Sequence, residues 1–144
     1  ISGYQNATET MIWAKKSENQ KKYTFNYQTM KTINDDKQMK NVWEIPLCRG
    51  EERIMIDGKK AHSTQKPEQL LFRVIISSSN KGDLVFDPFM GSGGVLVESM
   101  LHGNNSVGID LNPFAVLLAT VKTTPLDAAK LETTFNQIIL DSSL

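Results

Sequence analysis

The stretch VFDPFMGSGG, residues 85–94, joins a short apolar run to an acidic residue and then to a glycine-rich turn. An apolar run of this length is typical of a strand buried on both faces of a sheet. Glycines allow positive φ angles and let a ligand approach the backbone closely. Because a helical apolar stripe follows at residues 95–100 and ends at Gly103, the stretch predicts a strand, a tight turn and a helix.

A second acidic residue stands at the end of the next predicted strand. This strand covers residues 106–109, and Asp110 follows it, 17 residues after Gly93. In parallel sheets, ligands bind beyond the carboxyl ends of the strands, where an acid can accept hydrogen bonds from both hydroxyls of a ribose. Asp87 and Asp110 are therefore predicted to lie at one ligand site.

The glycine pattern limits the kind of ligand. The dinucleotide fingerprint G-x-G-x-x-G lacks its third glycine here, and an acid ahead of the turn would repel a pyrophosphate. A phosphate-binding P-loop is excluded, because no glycine is followed by lysine and then serine or threonine. A nucleoside joined to a cationic amino acid satisfies these constraints, and S-adenosylmethionine is such a ligand. An ordinary strand-to-helix turn is the alternative interpretation.

The rest of the second half alternates helices with strands. A helix is predicted from Pro67 to Asn80, another from Pro113 to Val121, and a last one after a capping-box-like start at residues 124–127. This order predicts an α/β protein with parallel strands and flanking helices. In the first half, residues 8–14 and 23–27 are predicted to pair as an N-terminal hairpin, and the residues from 28 to 61 are polar and irregular.

Two separated motifs carry a resemblance to a known family. Residues 87–93, DPFMGSG, resemble the D-P-F-x-G-S-G motif of the amino-DNA methyltransferases, which make N6-methyladenine or N4-methylcytosine. Residues 62–67, HSTQKP, resemble the H-x-T-Q-K-P motif of the same family. The order of the motifs is similar to that of the β class, in which the catalytic half comes first and the S-adenosylmethionine-binding half last. The resemblance covers residues 9 to 125 and implies a partial Rossmann-like methyltransferase fold.

The resemblance also implies roles for individual residues. Asp87 would face the methionine amino group, and Asp110 would hold the ribose hydroxyls. The other cofactor-binding residues that it implies are Pro88, Phe89, Gly91, Ser92 and Gly93 in the turn, Thr64, Gln65 and Lys66 at the methionine end, and Phe114 against adenine. For three residues a purely structural role stays open as the alternative to ligand contact: Phe114 as a core residue, Pro67 as a helix start, and His62 as a structural histidine.

Position 94 departs from the family pattern. The family usually has threonine after G-S-G, whereas this chain has Gly94. The lost hydroxyl is expected to remove a helix-start hydrogen bond of roughly 1 kcal/mol. This change bears on cofactor affinity and not on the fold.

The loop that holds the target amine is missing from this sequence. The family uses D/N/S-P-P-Y/F/W, whereas the five prolines here, at 46, 67, 88, 113 and 125, never adjoin one another. Asn112-Pro113-Phe114 resembles the loop superficially, but it has one proline and follows the strand of the ribose acid, where the family has a helix. We therefore expect no catalytic residue in this chain, and expect the catalytic half N-terminal to Ile1 or in another subunit. Residues 1–61 would then end the catalytic half and contain part of the target-recognition region, and residues 62–144 would bind the cofactor.

Charge and composition set the remaining expectations. The net charge is zero, but residues 1–66 carry 12 Lys/Arg against 8 Asp/Glu, and residues 67–144 carry 4 against 8. The basic first half is either a solvated surface or a strip that faces DNA phosphates. The single cysteine, Cys48, excludes an internal disulfide and fits a cytoplasmic protein, and two isolated histidines give no metal site. No apolar run approaches the roughly 20 residues of a membrane span.

Three functions stay open from the sequence. The first is a fragment of a DNA amino-methyltransferase that acts on double-stranded DNA in the complete enzyme. The second is a non-catalytic remnant or subunit that binds the cofactor or a partner chain. The third, a methyltransferase for an amine of RNA or protein, is disfavoured by the H-x-T-Q-K-P motif. Since the sheet would lack several strands, its exposed edges also favour a homodimer.

Overall fold

The computed structural model describes residues 8–48, 50–53, 55–56, 58–60 and 65–142. Three residues of the H-x-T-Q-K-P motif, His62, Ser63 and Thr64, lie outside these ranges. In chain order the elements are α1 (Tyr27–Thr32), a 3-10 turn (Gly50–Glu52), β1 (Met55–Ile56), β2 (Lys59–Lys60), α2 (Glu68–Ser78), β3 (Leu84–Asp87), α3 (Gly94–Leu101), β4 (Asn105–Gly108), α4 (Pro113–Thr123) and α5 (Ala128–Asp141). None of these helices is long and apolar enough to cross a membrane.

The predicted strand–helix–strand unit is present. β3 and β4 run parallel, with Leu84 opposite Asn105 and Asp87 opposite Gly108, and α3 connects them. The α/β class and the parallel pairing are therefore confirmed. β1 and β2 form a separate antiparallel pair of two residues each, inside the part of the chain predicted to be irregular.

One face of the β3–β4 sheet is covered by α3, which also packs against α2 and α4. Leu96 of α3 joins Met90 and Ala119 in a small buried core, and Val95 packs against it. Gly108 of β4 lies at the same contact, since a Cβ atom there would stand 2.9 Å from a methyl carbon of Leu96. The missing side chain thus lets α3 approach the sheet closely.

The opposite face of this sheet is bare in the part of the chain that the structure describes. Leu84, Phe86, Val107 and Ile109 point to that side, and Leu84 and Phe86 are 67% and 58% exposed. The prediction that the first strand is buried on both faces is therefore wrong. The apolar run alone does not reveal whether a helix is available for each face, and none of the described helices covers the second one.

The last helix, α5, also presents an apolar stripe to solvent. The predicted face of Leu131, Phe135 and Ile138 is more than half exposed, and no residue of α5 is buried. Asp127 caps the helix by accepting hydrogen bonds from two first-turn amides. The capping box predicted over residues 124–127 is therefore wrong, because Thr124 is the C-cap of α4 and Asp127 is itself the N-cap of α5.

The predicted N-terminal hairpin is wrong as a backbone structure. No strand forms within residues 8–26, and the second predicted strand ends at Tyr27, the first residue of α1. The two segments nevertheless meet through their aromatic rings, since the Trp13 ring centroid lies 5.7 Å from that of Tyr23 and 5.1 Å from that of Phe25. Ring packing, and not a ladder of backbone hydrogen bonds, joins them.

Asn26 ties this N-terminal segment to the end of α2. Its side-chain amide donates to the carbonyl oxygens of Ile76 and Ser79 at 2.9 and 2.8 Å, and its backbone N–H donates to Ser77 at 2.9 Å. The last carbonyls of a helix have no partner inside the helix. Asn26 therefore supplies donors that α2 cannot provide for itself.

We expect Asn26→Ala to lower the free energy of unfolding by about 1–3 kcal/mol, because it leaves part-buried helix carbonyls without their donor. Asn34→Ala is the matched control, since the Asn34 side chain also donates to two carbonyls, but within an exposed local turn. Urea denaturation of the two variants measures the difference. Equal losses would contradict the role given to Asn26.

Candidate functional site

The two predicted acids lie at the same edge of the sheet. Beyond the strands proper, the Ile109 amide donates to the Asp87 carbonyl at 2.9 Å, and the Met90 amide donates to the Ile109 carbonyl at 3.0 Å. These bonds continue the parallel pairing past the end of β3. They hold Asp87 and Asp110 beside each other at the carboxyl edge, where the sequence predicted a ligand site.

Asp87 ends β3 and begins a tight turn. Its Oδ1 accepts the Phe89 amide hydrogen at 3.0 Å, and its side chain is half-buried. Pro88 and Phe89 follow on the surface, and the Phe89 side chain is 87% exposed. A carboxylate offers about four acceptor positions, so the bond from Phe89 leaves acceptor capacity on Asp87.

Asp110 holds the glycine turn to the end of β4. Its Oδ2 accepts the Gly91 amide hydrogen at 2.9 Å, and its Oδ1 accepts the Asn112 amide hydrogen at 2.8 Å. The sequence predicted a ribose-binding acid here but not this contact with the turn. With one amide on each oxygen, the carboxylate keeps a lone pair on each for a ligand.

The glycine turn has the backbone that only glycine adopts readily. Gly91 and Gly93 have φ angles of +50° and +81°. Gly93 is the N-cap of α3, and a Cβ atom on it would stand 2.7 Å from the Cβ of Ala119 in α4. No side chain caps the start of α3. The turn is thus packed closely between two helices, with first-turn amides that a ligand can use.

Gly94 is the first residue of α3, and the N-cap position belongs to Gly93. A threonine hydroxyl at position 94 would therefore stand inside the first turn of α3 and would not be the N-cap side chain of this helix. A Cβ atom at Gly94 would stand 3.3 Å from a methyl carbon of Leu71. This contact shows that the first turn of α2 lies against the start of α3.

These contacts place the site at the edge of a sheet, with two acids around a glycine turn. A model of the DNA methylase family, which contains N6 and N4 methyltransferases, matches residues 2–121.

The chain belongs to this DNA methylase family.

Two curated proteins that this chain resembles in sequence are type II methyltransferases. M.HinfI of Haemophilus influenzae is 52% identical over 106 residues, which cover 73% of this chain and 29% of that protein. M2.DpnII of Streptococcus pneumoniae is 43% identical over 107 residues, which cover 74% of this chain and 38% of that protein. The match therefore spans well under half the length of both relatives.

One solved structure gives the same result for the fold. The crystal structure of the M1.HpyAVI–SAM complex aligns with a TM-score of 0.51 and 25% identity, over 74% of this chain and 46% of that chain. The resemblance and the partial methyltransferase fold inferred from the two motifs are confirmed.

Gln65 and Lys66 of the methylase motif H-x-T-Q-K-P contact the N-terminal part of the chain. The Gln65 side-chain amide donates to the Glu52 carbonyl at 2.6 Å, and Lys66 Nζ forms an ion pair with Glu9 at 2.8 Å. The Glu52 carboxylate accepts the Glu68 amide hydrogen at 2.6 Å, so it caps α2 from outside the helix. These contacts hold the segment ahead of α2, and Thr64 lies outside the described residues.

Pro67 takes the N-cap position of α2, whereas the sequence predicted it as the first helical residue. Its interpretation as a helix start is therefore confirmed, with a shift of one residue. His62, for which a structural role was the alternative, lies outside the described residues.

Phe114 lies in the first turn of α4. The Asn112 side chain caps this helix by accepting the Phe114 amide hydrogen at 3.0 Å, and Pro113 is its first residue. Asn112-Pro113-Phe114 is thus a capped helix start. The Phe114 side chain is 56% exposed, which argues against its alternative interpretation as a core residue.

Lys122 is a residue at the turn that sequence reasoning missed. Its Nζ donates to the Ser92 carbonyl at 3.0 Å, from α4. Because Lys122 and Ser92 are thirty residues apart in the chain, no local sequence pattern indicates this contact. Glycine turn, Asp110 and Lys122 together form one hydrogen-bonded unit.

Proposed function

We propose that this chain is the S-adenosylmethionine-binding portion of a site-specific DNA methyltransferase, which transfers a methyl group to the exocyclic amine of adenine (N6) or cytosine (N4). The observation that carries the proposal is the pair of carboxylates, Asp87 and Asp110, around the glycine turn at the start of α3. A ligand with an ammonium group and a ribose matches them in charge and in hydrogen-bonding groups. Membership of the DNA methylase family supports the substrate class.

Each residue of the site would contact a different part of the ligand. Asp87 would accept hydrogen bonds from the methionine ammonium, and Asp110 would accept them from the ribose hydroxyls. The amides at the start of α3 suit the methionine carboxylate, because a helix N-terminus favours negative charge. When bound, S-adenosylmethionine supplies a methyl group on a cationic sulfur, which an amine nitrogen attacks in line.

The other proposed contacts surround this centre. Leu71 stands against Gly94, so the first turn of α2, which directly follows the H-x-T-Q-K-P motif in sequence, lies beside the glycine turn. This position supports Thr64, Gln65 and Lys66 as contacts at the methionine end. The exposed ring of Phe114 supports a contact with adenine. Pro88, Phe89, Gly91, Ser92 and Gly93 form the turn beneath the methionine and ribose.

We also propose that this chain does not transfer the methyl group by itself. Its sequence contains no D/N/S-P-P-Y/F/W loop to hold the target amine. The segment that carries this loop would cover the bare face of β3 and β4, where Leu84, Phe86, Val107 and Ile109 are exposed. The longer sequences of both type II relatives support a covering segment of the same family. Residues 1–61 would then belong with the catalytic half, and residues 62–144 with the cofactor.

Double-stranded DNA would be bound by the complete enzyme. Until the catalytic segment covers it, the same bare face favours a homodimer, and sedimentation that shows only monomer would contradict this. A cytoplasmic location fits the buried free thiol of Cys48.

The missing catalytic loop favours a second candidate function. A chain that binds the cofactor but lacks the loop could serve as a non-catalytic module that binds a partner chain. The two candidates differ in one measurement, because only the first predicts methyl transfer to DNA after a segment with the loop is added.

Calorimetric titration with S-adenosylmethionine and its demethylated product tests the proposed function. The chain is expected to bind both in a saturable manner. Asp87→Asn is expected to weaken binding at least about tenfold, because it removes the charge that faces the ammonium and keeps an oxygen for the Phe89 amide.

Asp83→Asn is the matched control for this variant. Asp83 precedes the same strand, at its other end, and its carboxylate accepts the Asn80 amide hydrogen at 2.8 Å. Binding should be unchanged in this variant. No binding to the unsubstituted chain, or equal losses in both variants, would overturn the assignment of Asp87.

A further inference from the structure

A loop of the N-terminal segment has a defined shape without any regular secondary structure. We call residues 13–25 the basic loop. Its tip is a turn in which the Gln20 amide donates to the Ser17 carbonyl at 3.1 Å. The Gln20 side chain then joins the two arms, since its oxygen accepts the Lys16 amide hydrogen at 2.7 Å and its nitrogen donates to the Lys22 carbonyl at 3.0 Å. One side chain thus holds both sides of the turn at a fixed separation.

The base of the basic loop is held by aromatic rings. Trp13 on the first arm packs against Tyr23 and Phe25 on the second. On either side of the loop, the segment is attached to the two ends of α2, by the ion pair of Glu9 with Lys66 and by the bonds from Asn26. The loop therefore projects from a fixed base.

The basic loop carries four positively charged side chains. Lys15 and Lys16 lie on the first arm and Lys21 and Lys22 on the second, whereas Glu18 is the single acid of the loop. All four lysines are exposed, and none forms an ion pair with a carboxylate in the part of the chain that the structure describes. The ammonium group of Lys15 donates to the Glu18 carbonyl at 3.1 Å, which leaves its charge unneutralised.

We propose that the basic loop binds the phosphate backbone of double-stranded DNA. This inference rests on the proposed function and names the surface that holds the substrate. Lysines that neutralise phosphates release counterions, and a loop whose shape is already fixed loses little conformational freedom when it binds. Asp87, Asp110 and the glycine turn are not part of this surface, so the two kinds of binding can be measured separately.

The test compares two variants with the same change in net charge. The first replaces Lys15, Lys16, Lys21 and Lys22 with glutamine. The matched control replaces four exposed lysines outside the loop, Lys37, Lys40, Lys81 and Lys130, with glutamine. The affinity of each variant of the full chain for a labelled 20-base-pair DNA duplex is measured by fluorescence anisotropy over a series of salt concentrations.

The loop variant is expected to bind at least about tenfold more weakly at low salt. The magnitude of the slope of the logarithm of affinity against the logarithm of salt concentration should fall by about 3.6, since each of the four phosphate contacts contributes about 0.9. The control variant should keep the slope of the unsubstituted chain. Equal losses in the two variants would overturn the proposal, since net charge alone would then explain binding. No measurable binding by the unsubstituted chain, or a preference for an RNA duplex of the same sequence, would also overturn it.

Titration of the loop variant with S-adenosylmethionine separates this proposal from the proposed function. Cofactor affinity should be unchanged, because the substituted lysines do not touch the glycine turn or its acids. If the unsubstituted chain bound DNA through the loop but not the cofactor, the proposed function would fail and the loop assignment would stand.

Discussion

Replacing Gly93 with alanine is expected to lower the free energy of unfolding by about 3 kcal/mol and to remove detectable cofactor binding. Two costs add at this position. A residue with a Cβ atom at a φ of +81° costs about 1–2 kcal/mol. The added Cβ would also stand 2.7 Å from the Cβ and 2.9 Å from the Cα of Ala119, so α4 must move, and overpacking of this kind costs about 1–3 kcal/mol.

The neighbouring glycine supplies the control. Gly94→Ala places a Cβ atom 3.3 Å from the end of the flexible Leu71 side chain, at a helical position without positive φ. Its unfolding free energy should change by less than about 1 kcal/mol, and it should still bind S-adenosylmethionine. Urea denaturation and calorimetric titration report the two effects. Similar behaviour of the two variants would show that the turn does not depend on the close approach of α3 and α4.

Replacing Asp110 with alanine is expected to weaken S-adenosylmethionine binding at least about 100-fold. The variant loses the carboxylate proposed to accept the ribose hydroxyls, and hydrogen bonds to a charged group contribute about 1.5–3 kcal/mol each. It also releases the amides of Gly91 and Asn112, so the glycine turn loses its attachment to β4. Stability should therefore fall by about 2 kcal/mol, together with affinity.

Asp83→Ala is the reference for this second effect. It also removes a carboxylate that accepts a backbone amide, but at the opposite end of β3. It should lose stability and keep cofactor affinity, as calorimetry and denaturation of the same preparations would reveal. A variant of Asp110 that bound the cofactor normally would exclude this carboxylate from the site.

The local part of the site could be predicted from the sequence. Asp87, the glycine turn and the start of α3 are neighbours in the chain, so the residue types alone indicate the strand, the positive φ angles and the helix. Asp110 could also be placed, because two parallel strands joined by one helix end at the same edge.

What the sequence could not provide are contacts between distant residues. Asn26 caps the end of a helix through the carbonyl of Ile76, 50 residues later, and Glu52 caps the start of the same helix from 16 residues away. Neither residue type is specific for such a role, since caps are usually local. The hairpin failed for a related reason, because alternating aromatic residues indicate that two segments pack together without deciding whether their backbones pair.

The prediction that β3 is buried on both faces was wrong for another physical reason. A strand with apolar residues on both faces requires a layer on each side, and the sequence of the strand does not say where the second layer comes from. Leu84 and Phe86 therefore read as core residues, although they are exposed in the described chain.

That bare face also makes the lifetime of this chain depend on whether another segment covers it. Anything that binds only the folded state raises stability with the logarithm of its free concentration. A segment that covers this face, as proposed above, should therefore raise the melting temperature of the chain. Copies in which the face stays uncovered would unfold more often and be degraded first, since proteolysis removes the unfolded state.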